Sequence, residues 1–405
     1  MNILLLTNSM KQPDDNYSSK TDVVFYFAKE WVKAGHRVVI IHSETKFPLF
    51  YYWIPKSIAS KIVGGRFSSF PSVSSRKILK REQDGVIIYR IPMLKLIPHS
   101  AYIESQYKNQ IKHILDFLAE IDFKPDVITG HWLEPQLKLI HELGCVFNAK
   151  TGFVIHGMLP DTLNEKYKQY IKELNCFFLR SQAVKNQTLV SQHSSFMPNK
   201  VRVCYSGIPD DYVGSIIKRT DWEKDGLFKI IYVGRLVRSK RIDAVIDALA
   251  NNFKDVNYRF DIIGEGDEKG NLMKQANSLG VSEKVRFHGH ISRDEVQEKL
   301  RESDCFVMIS ENEVYGLVYL EAMAAGCITV ASIGGGMEGI IESGKNGFLS
   351  NQGNSEELGK LLKYIYSLSM KDVERLRDNA VETVRSYTDS KVADRYLQDI
   401  VLNEI

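Results

Sequence analysis

Two basic and two acidic side chains in the second half of this 405-residue chain have the types and spacing to hold a ligand that is anionic in its middle and hydroxylated at both ends. Arg235 and Lys240 lie in GRLVRSKRIDAVIDAL, after an apolar run and just before a helical pattern. Two cations beside the free amides of a helix N-terminus suit a phosphate group; a solvated basic loop is the other reading. Glu313 and Glu321 lie in ENEVYGLVYLEAMAAG. A helix begun near Gly316 puts Leu317, Leu320, Glu321 and Ala324 on one face, so a carboxylate shares the stripe that should be buried. It needs a partner, either a ligand or a buried arginine. The free amides of Gly316 and Leu317 would point at an anion, with the two carboxylates accepting hydrogen bonds from hydroxyls on either side. A nucleotide sugar has that layout. The glycines of DIIGEGDEKG, Gly264, Gly266 and Gly270, are a weaker signal. Their spacing is one residue longer than the dinucleotide fingerprint, and Glu265, Asp267 and Glu268 would repel a pyrophosphate placed on them.

The elements that must position these residues are short apolar runs alternating with helical patterns, which predicts parallel, doubly wound α/β architecture. In the first half the expected strands are 2–7, 37–42, 126–129, 152–155, 176–179 and 201–204; in the second, 229–234, 260–264, 285–289, 305–309 and 328–332. A helix is expected over 19–34, closed by Gly35 as a left-handed cap. The polar, turn-rich stretch near residue 210 divides the chain. Expected are a Rossmann-like domain over 1–208, a second over 209–387, and an amphipathic helix over 388–405 packing back on the first. Ligands of such sheets bind at the carboxyl ends of strands, where the residues singled out above fall.

Composition narrows the class. With 44% hydrophobic and 25% charged residues the chain reads as a soluble globular protein. MNILLLTNSM reads as a buried strand and not as a signal peptide, and no apolar run is long enough to span a bilayer. Five cysteines stand singly, which argues against a disulfide framework or a structural zinc site and fits a reducing cytoplasm. Residues 1–210 carry 27 Lys and Arg against 18 Asp and Glu, and residues 211–405 carry 26 against 32, so the halves face different surroundings.

Taken together, GRLVRSK, IIGEG, VRFHGHI, SDCFVMISENEVYGLVYLEAMAAG and SIGGGMEGIIESGKNGFL, with AGHRVVII, PDVITGHW, VIHG and YSGIPDDY in the first half, resemble glycosyltransferase family 4. These are retaining enzymes of the GT-B fold, with two Rossmann-like domains facing each other across a cleft. The resemblance implies that Arg235 and Lys240 hold the donor diphosphate and that Glu313 contacts the transferred sugar. It further implies that Glu321 takes the ribose hydroxyls, so that its partner is a ligand, while Gly316 and Leu317 offer amides to the phosphates. Gly264 belongs to the same donor-side set, and the loop at His290 and Ile291 is where the family reads the base. His156 matches the family histidine beside the acceptor and the reacting carbon, and His131 is a further acceptor-side candidate. The chain departs from the family in three places. The loop after the first strand has no glycine, although Ser18, Ser19 or Lys20 could supply contacts; Tyr315 stands for a usual Phe; and Arg241 stands for a common glycine.

Residues 46–81 hold eight Lys or Arg, seven aromatics and no acid. That mixture suits an anionic membrane surface, with Lys77, Lys80 and Arg81 among its cations; aromatics completing the core are the alternative, and nucleic acid is not expected. The expected activity is retaining transfer from a nucleotide sugar, a UDP-sugar, to a lipid-linked glycan acceptor in surface polysaccharide synthesis, at the cytoplasmic side of the membrane, with neither metal nor other cofactor. A nucleotide-sugar epimerase or hydrolase, or a non-catalytic sugar-nucleotide sensor, would share these residues.

Overall fold

A computed structural model describes residues 1–11, 21–54, 58, 76–97, 100–213 and 226–402. The expectations placed on Ser18, Ser19 and Lys20, and on 55–57 and 59–75 of the basic and aromatic segment, lie outside the described residues. The chain forms two compact units, one of Met1–Arg180, Gln187–Cys204 and Val392–Ile405, the other of Ser181–Asn186 and Tyr205–Lys391.

The first unit is built on β1 (Asn2–Thr7), β2 (Arg37–His42), β3 (Thr45–Lys46), β4 (Leu79–Gln83), β5 (Val86–Arg90), β6 (Met93–Leu94), β7 (Val127–His131), β8 (Lys150–Val154), β9 (Cys176–Leu179) and β10 (Val201–Val203). Eight of these make one sheet in the order β10-β9-β8-β7-β1-β2-β5-β4, and β3 pairs with β6. Ile3, Leu4, Leu5 and Leu6 are wholly buried, as a near-continuous apolar run requires in a sheet covered on both faces. Strand order runs outward from β1 in one direction through β2 and in the other through β7 and β8. The switch point between β1 and β7 therefore places the ends of β7 and β8 where such sheets carry their ligands.

The structure departs from three expectations in this unit. The first helix spans Val23–Lys33, shorter than the expected 19–34, with Gly35 in the left-handed conformation after it. The β4–β5 hairpin was not expected. Its turn is Asp84-Gly85, both at positive φ as a two-residue hairpin turn demands, so the DG pair was the overlooked signal. That hairpin also reassigns part of the basic segment. Lys80 on β4 pairs with Glu120 at 2.6 Å and lies over the rings of Tyr89 and Phe117, and Arg81 hydrogen-bonds Gln83. These two cations serve the sheet edge; Lys77, like Lys80, is exposed.

The second unit is built on β11 (Phe228–Val233), β12 (Tyr258–Ile263), β13 (Val285–Gly289), β14 (Cys305–Met308), β15 (Ile328–Ser332) and β16 (Phe348–Ser350), all parallel, in the order β13-β12-β11-β14-β15-β16. Its switch point lies between β11 and β14. The unit begins at Tyr205, not 209, because Ile208 is tied into it: its N–H donates to the Tyr387 carbonyl at 3.1 Å, and its own carbonyl accepts from Asp389 N–H at 2.8 Å.

From Val392 the last helix (Asp389–Val401) belongs to the first unit. It buries Val392, Ala393, Tyr396, Leu397 and Ile400. Trp31, 1% exposed, donates its indole N–H to the Ala393 carbonyl at 2.8 Å, and Lys200 Nζ reaches the Leu402 carbonyl at 2.6 Å. Replacing Trp31→Phe removes that hydrogen bond, which costs about 0.5–1.5 kcal/mol. A urea titration should show the lower midpoint; a midpoint equal to that of the wild type would mean that the helix is held by apolar contact alone.

Candidate functional site

In the second unit the loops after β11, β12, β13 and β14 meet at the carboxyl end of the sheet, and glycines let their backbones approach. Gly264 has φ +135°, and a Cβ there would lie 1.9 Å from the Gly234 carbonyl oxygen. At Gly266 a Cβ would meet the Leu236 carbonyl at 2.3 Å. The strand-end amides follow from this contact: Gly234 N–H donates to Ile263 O and Leu236 N–H to Glu265 O, each at 2.9 Å. Gly264 thus has a packing reason for being glycine, independent of any ligand.

Across the switch point, Lys240 from the β11 loop and Glu313 from the β14 loop form an ion pair with side chains 19% and 14% exposed. The two loops are tied by the backbone as well, Glu311 N–H donating to Ser239 O at 2.8 Å. Arg235 stands beside them exposed, its carbonyl accepting the buried Tyr232 hydroxyl at 2.9 Å. Arg241, in place of a family glycine, keeps the left-handed conformation at φ 51° that a glycine would adopt freely. Glu311, at 2.6 Å, and Asp243, at 3.2 Å, hold its guanidinium.

Gly316 caps the helix Leu317–Ala324 at φ 78°. A Cβ there would strike the Tyr319 ring at 2.5 Å. Tyr319, Leu320, Ala322, Met323 and Ala324 are buried, so this helix is apolar on more than the one face predicted, and Leu317 is only partly buried. Tyr315 is also buried, and its hydroxyl donates to Ser206 O at 2.5 Å, a bond that the family's usual Phe could not make. Glu321, 12% exposed, accepts from Arg293 Nη2 at 2.9 Å. Its partner here is therefore a protein side chain and not a ligand alone. Arg293 opens a helix with a Ser292/Glu295 capping box, and ISRDE was the readable signal for that element. His290 is exposed at the end of the β13 loop, and Ile291 packs partly against the core.

In the first unit His131, the last residue of β7, and His156, just after β8, meet. His131 Nδ1 and His156 Nε2 are 2.8 Å apart, and the Tyr396 hydroxyl lies 3.3 Å from His131 Nε2. The Trp132 ring stacks on His156 at 4.1 Å with an interplanar angle of 11°. Burial above all, and then the Arg180 guanidinium, hold both imidazoles well below the usual histidine range, and His131 adds a third, smaller push in the same direction at His156. The sequence put these histidines at neighbouring strand ends, but nothing in it showed Tyr396, 240 residues beyond His156, closing the group.

Residues 216–383 match the family model described as glycosyl transferases group 1. N-acetyl-alpha-D-glucosaminyl L-malate synthase of Bacillus anthracis is 29% identical over 224 residues, covering 53% of this chain and 57% of that one. Several curated relatives are matched over only about half of their length. A glycosyltransferase from Rickettsia africae superposes with a TM-score of 0.71 at 17% identity, over 100% of this chain and 99% of that chain. Anabaena HepE, solved in complex with UDP, gives 0.67 at 16% identity over 98% and 99%. These likenesses show the fold class to be GT-B.

Two expectations follow from the geometry. Gly316→Ala combines left-handed strain with a clash against Tyr319 and should lower stability by about 1–3 kcal/mol, read from thermal unfolding; an unchanged melting temperature would contradict the clash. Below about pH 6.5 unfolded histidine takes up protons that folded His131 and His156 refuse. Stability is therefore full above that pH and falls as the pH drops through it, by at most about 1.4 kcal/mol per pH unit for each ring. The urea midpoint should fall less steeply with acid in His156→Gln than in the wild type; parallel curves would show that His156 carries its proton when folded. The likeness to the group 1 glycosyl transferases thus falls on residues 216–383, which hold the Lys240–Glu313 pair and Glu321.

Proposed function

We propose that the protein is a retaining glycosyltransferase that moves a hexose from a UDP-sugar to a glycan acceptor carried on a lipid. The observation that carries this reading is the Lys240–Glu313 pair at the β11/β14 switch point, flanked by Arg235 and by the amide end of the helix Leu317–Ala324. With a donor bound, Lys240 exchanges Glu313 for a phosphate oxygen, and Glu313 turns to a hydroxyl of the sugar. The bond between the anomeric carbon and the diphosphate oxygen breaks, the nucleoside diphosphate leaves with the bonding electrons, and the acceptor hydroxyl oxygen bonds that carbon from the same face, passing its proton to the departing phosphate oxygen. The charge that grows on the leaving diphosphate is met by Arg235, Lys240 and the helix amides. Glu321 takes the ribose hydroxyls, with Arg293 fixing its carboxylate. His290 and Ile291 border the base, and His156 and His131 serve the acceptor side.

UDP is favoured by the fold likeness to a protein solved with that nucleotide. In this reading Arg235 and Lys240 supply the positive charge that meets the leaving group, and the reaction calls for no metal. A membrane-bound acceptor is supported by Leu49, Phe50 and Trp53, which are 53%, 55% and 81% exposed within the basic and aromatic segment. Among the described residues no helix is long and apolar enough to cross a membrane.

A donor screen scored by released nucleoside diphosphate, followed by product analysis with extracted lipid acceptors, tests the reading. Glu313→Ala should lower kcat by about a hundredfold or more with folding intact, and transfer should persist in chelator. Unchanged turnover in Glu313→Ala, or nucleotide release without any glycosylated product, would overturn transfer at this site. Sedimentation with phosphatidylglycerol vesicles should weaken in Phe50→Ala/Trp53→Ala; equal sedimentation would remove the membrane contact.

A further inference from the structure

Four side chains of the first unit form a row whose hydrogen bonds take one direction once the Thr129 hydroxyl donates to the sheet. The Thr129 hydroxyl donates to the Gly152 carbonyl at 3.0 Å, and a hydroxyl has one proton to give. The 2.5 Å contact between Thr129 Oγ1 and the Tyr396 hydroxyl must then use the proton of Tyr396. With its own proton committed, the Tyr396 oxygen can only accept at the 3.3 Å contact with His131 Nε2, which puts the proton of His131 on Nε2. A neutral imidazole protonated at Nε2 has a bare Nδ1. His131 Nδ1 lies 2.8 Å from His156 Nε2, so His156 donates there and keeps its own Nδ1 bare. Both rings are neutral, buried as they are beside the Arg180 guanidinium. Trp132, stacked on His156, fixes the plane of the ring. No described residue hydrogen-bonds His156 Nδ1. The opposite direction would require Thr129 to withdraw its proton from the Gly152 carbonyl, inside the sheet.

We infer that Thr129, Tyr396 and His131 are positioning residues that lock His156 as a neutral Nε2–H imidazole, so that it meets the substrate as a hydrogen-bond acceptor at Nδ1. This rests on the reading of His156 as a residue of the transfer site. An acceptor nitrogen suits a substrate hydroxyl. It cannot neutralise the departing diphosphate, which leaves that task to Arg235, Lys240 and the helix amides of the second unit.

The test is the tautomer of each ring in the full chain labelled with [15N]histidine, read from two-bond proton–nitrogen correlations and assigned with His131→Gln and His156→Gln. Both rings should be Nε2–H in the wild type and in Thr129→Ser, which keeps the hydroxyl. In Thr129→Val the Tyr396 proton loses its acceptor and turns to His131 Nε2. His131 then carries its proton on Nδ1 and donates to His156 Nε2, so both tautomers should invert. Should that variant fail to fold, Tyr396→Phe leaves His131 Nε2–H without an acceptor, and the pair should exchange between the two forms. An Nδ1–H ring in the wild type overturns the inference, as does the wild-type pattern persisting in Thr129→Val or Tyr396→Phe. In the transfer assay Thr129→Val should lower kcat about tenfold or more with the donor KM held. Inverted tautomers with unchanged kcat would remove His156 from the reaction. Absence of transfer in the wild type would instead fail the functional reading, with the tautomer result standing by itself.

Discussion

The ion pair between Lys240 and Glu313 is the interaction on which the second unit's site depends. Each charge comes from a different strand end, and each is largely taken out of water, so either one alone would be costly. Together they bind the β11 and β14 loops across the point where the strand order reverses. That is the place in an open parallel sheet where two loops diverge and leave room for a ligand. The same pair supplies one cation and one carboxylate at the spot where a sugar diphosphate would need both.

What allows the loops to come this close is the absence of side chains at a few positions. Gly264 and Gly266 give way to the carbonyls of Gly234 and Leu236, and a Cβ at Gly336 would lie 2.3 Å from the Tyr315 backbone. Gly316 lets the helix Leu317–Ala324 begin directly under Tyr319. Arg241 shows the alternative: a residue with a side chain holds the left-handed conformation there, and two carboxylates secure its guanidinium. Backbone contact and charge pairing thus maintain one surface. The first unit follows the same plan with other groups, bringing His131 and His156 together at the ends of neighbouring strands beside its own switch point.

Much of this was legible in the chain itself. Apolar runs such as NILLLT and KIIYVG became central strands because a sheet buried on both faces selects for continuous β-branched and aliphatic residues. The placing of Arg235, Lys240 and Glu313 in loops after strands, and of Glu321 on the helix that begins near Gly316, was likewise readable from local pattern. Pairings were not. Lys240 could be read as a phosphate ligand or as a solvated cation, but its contact with Glu313 depends on strand order, which no local pattern encodes. Glu321 drew attention as a carboxylate in an apolar stripe, yet Arg293 reaches it from the first turn of another helix. The β4–β5 hairpin was missed because charged LKREQ lacks the apolar alternation of a strand. It forms an edge, where charge is tolerated and protective, and the Asp84-Gly85 turn fixes its register.

Equilibrium binding of UDP and of uridine, compared by calorimetry in the wild type and in Lys240→Met, addresses the central claim most directly. A cation that leaves its glutamate for a phosphate oxygen predicts that UDP binds the wild type about tenfold or more tightly than uridine, and that the preference collapses when Lys240 is replaced. Equal affinity for the two ligands, or a preference for UDP undiminished in Lys240→Met, would contradict the account.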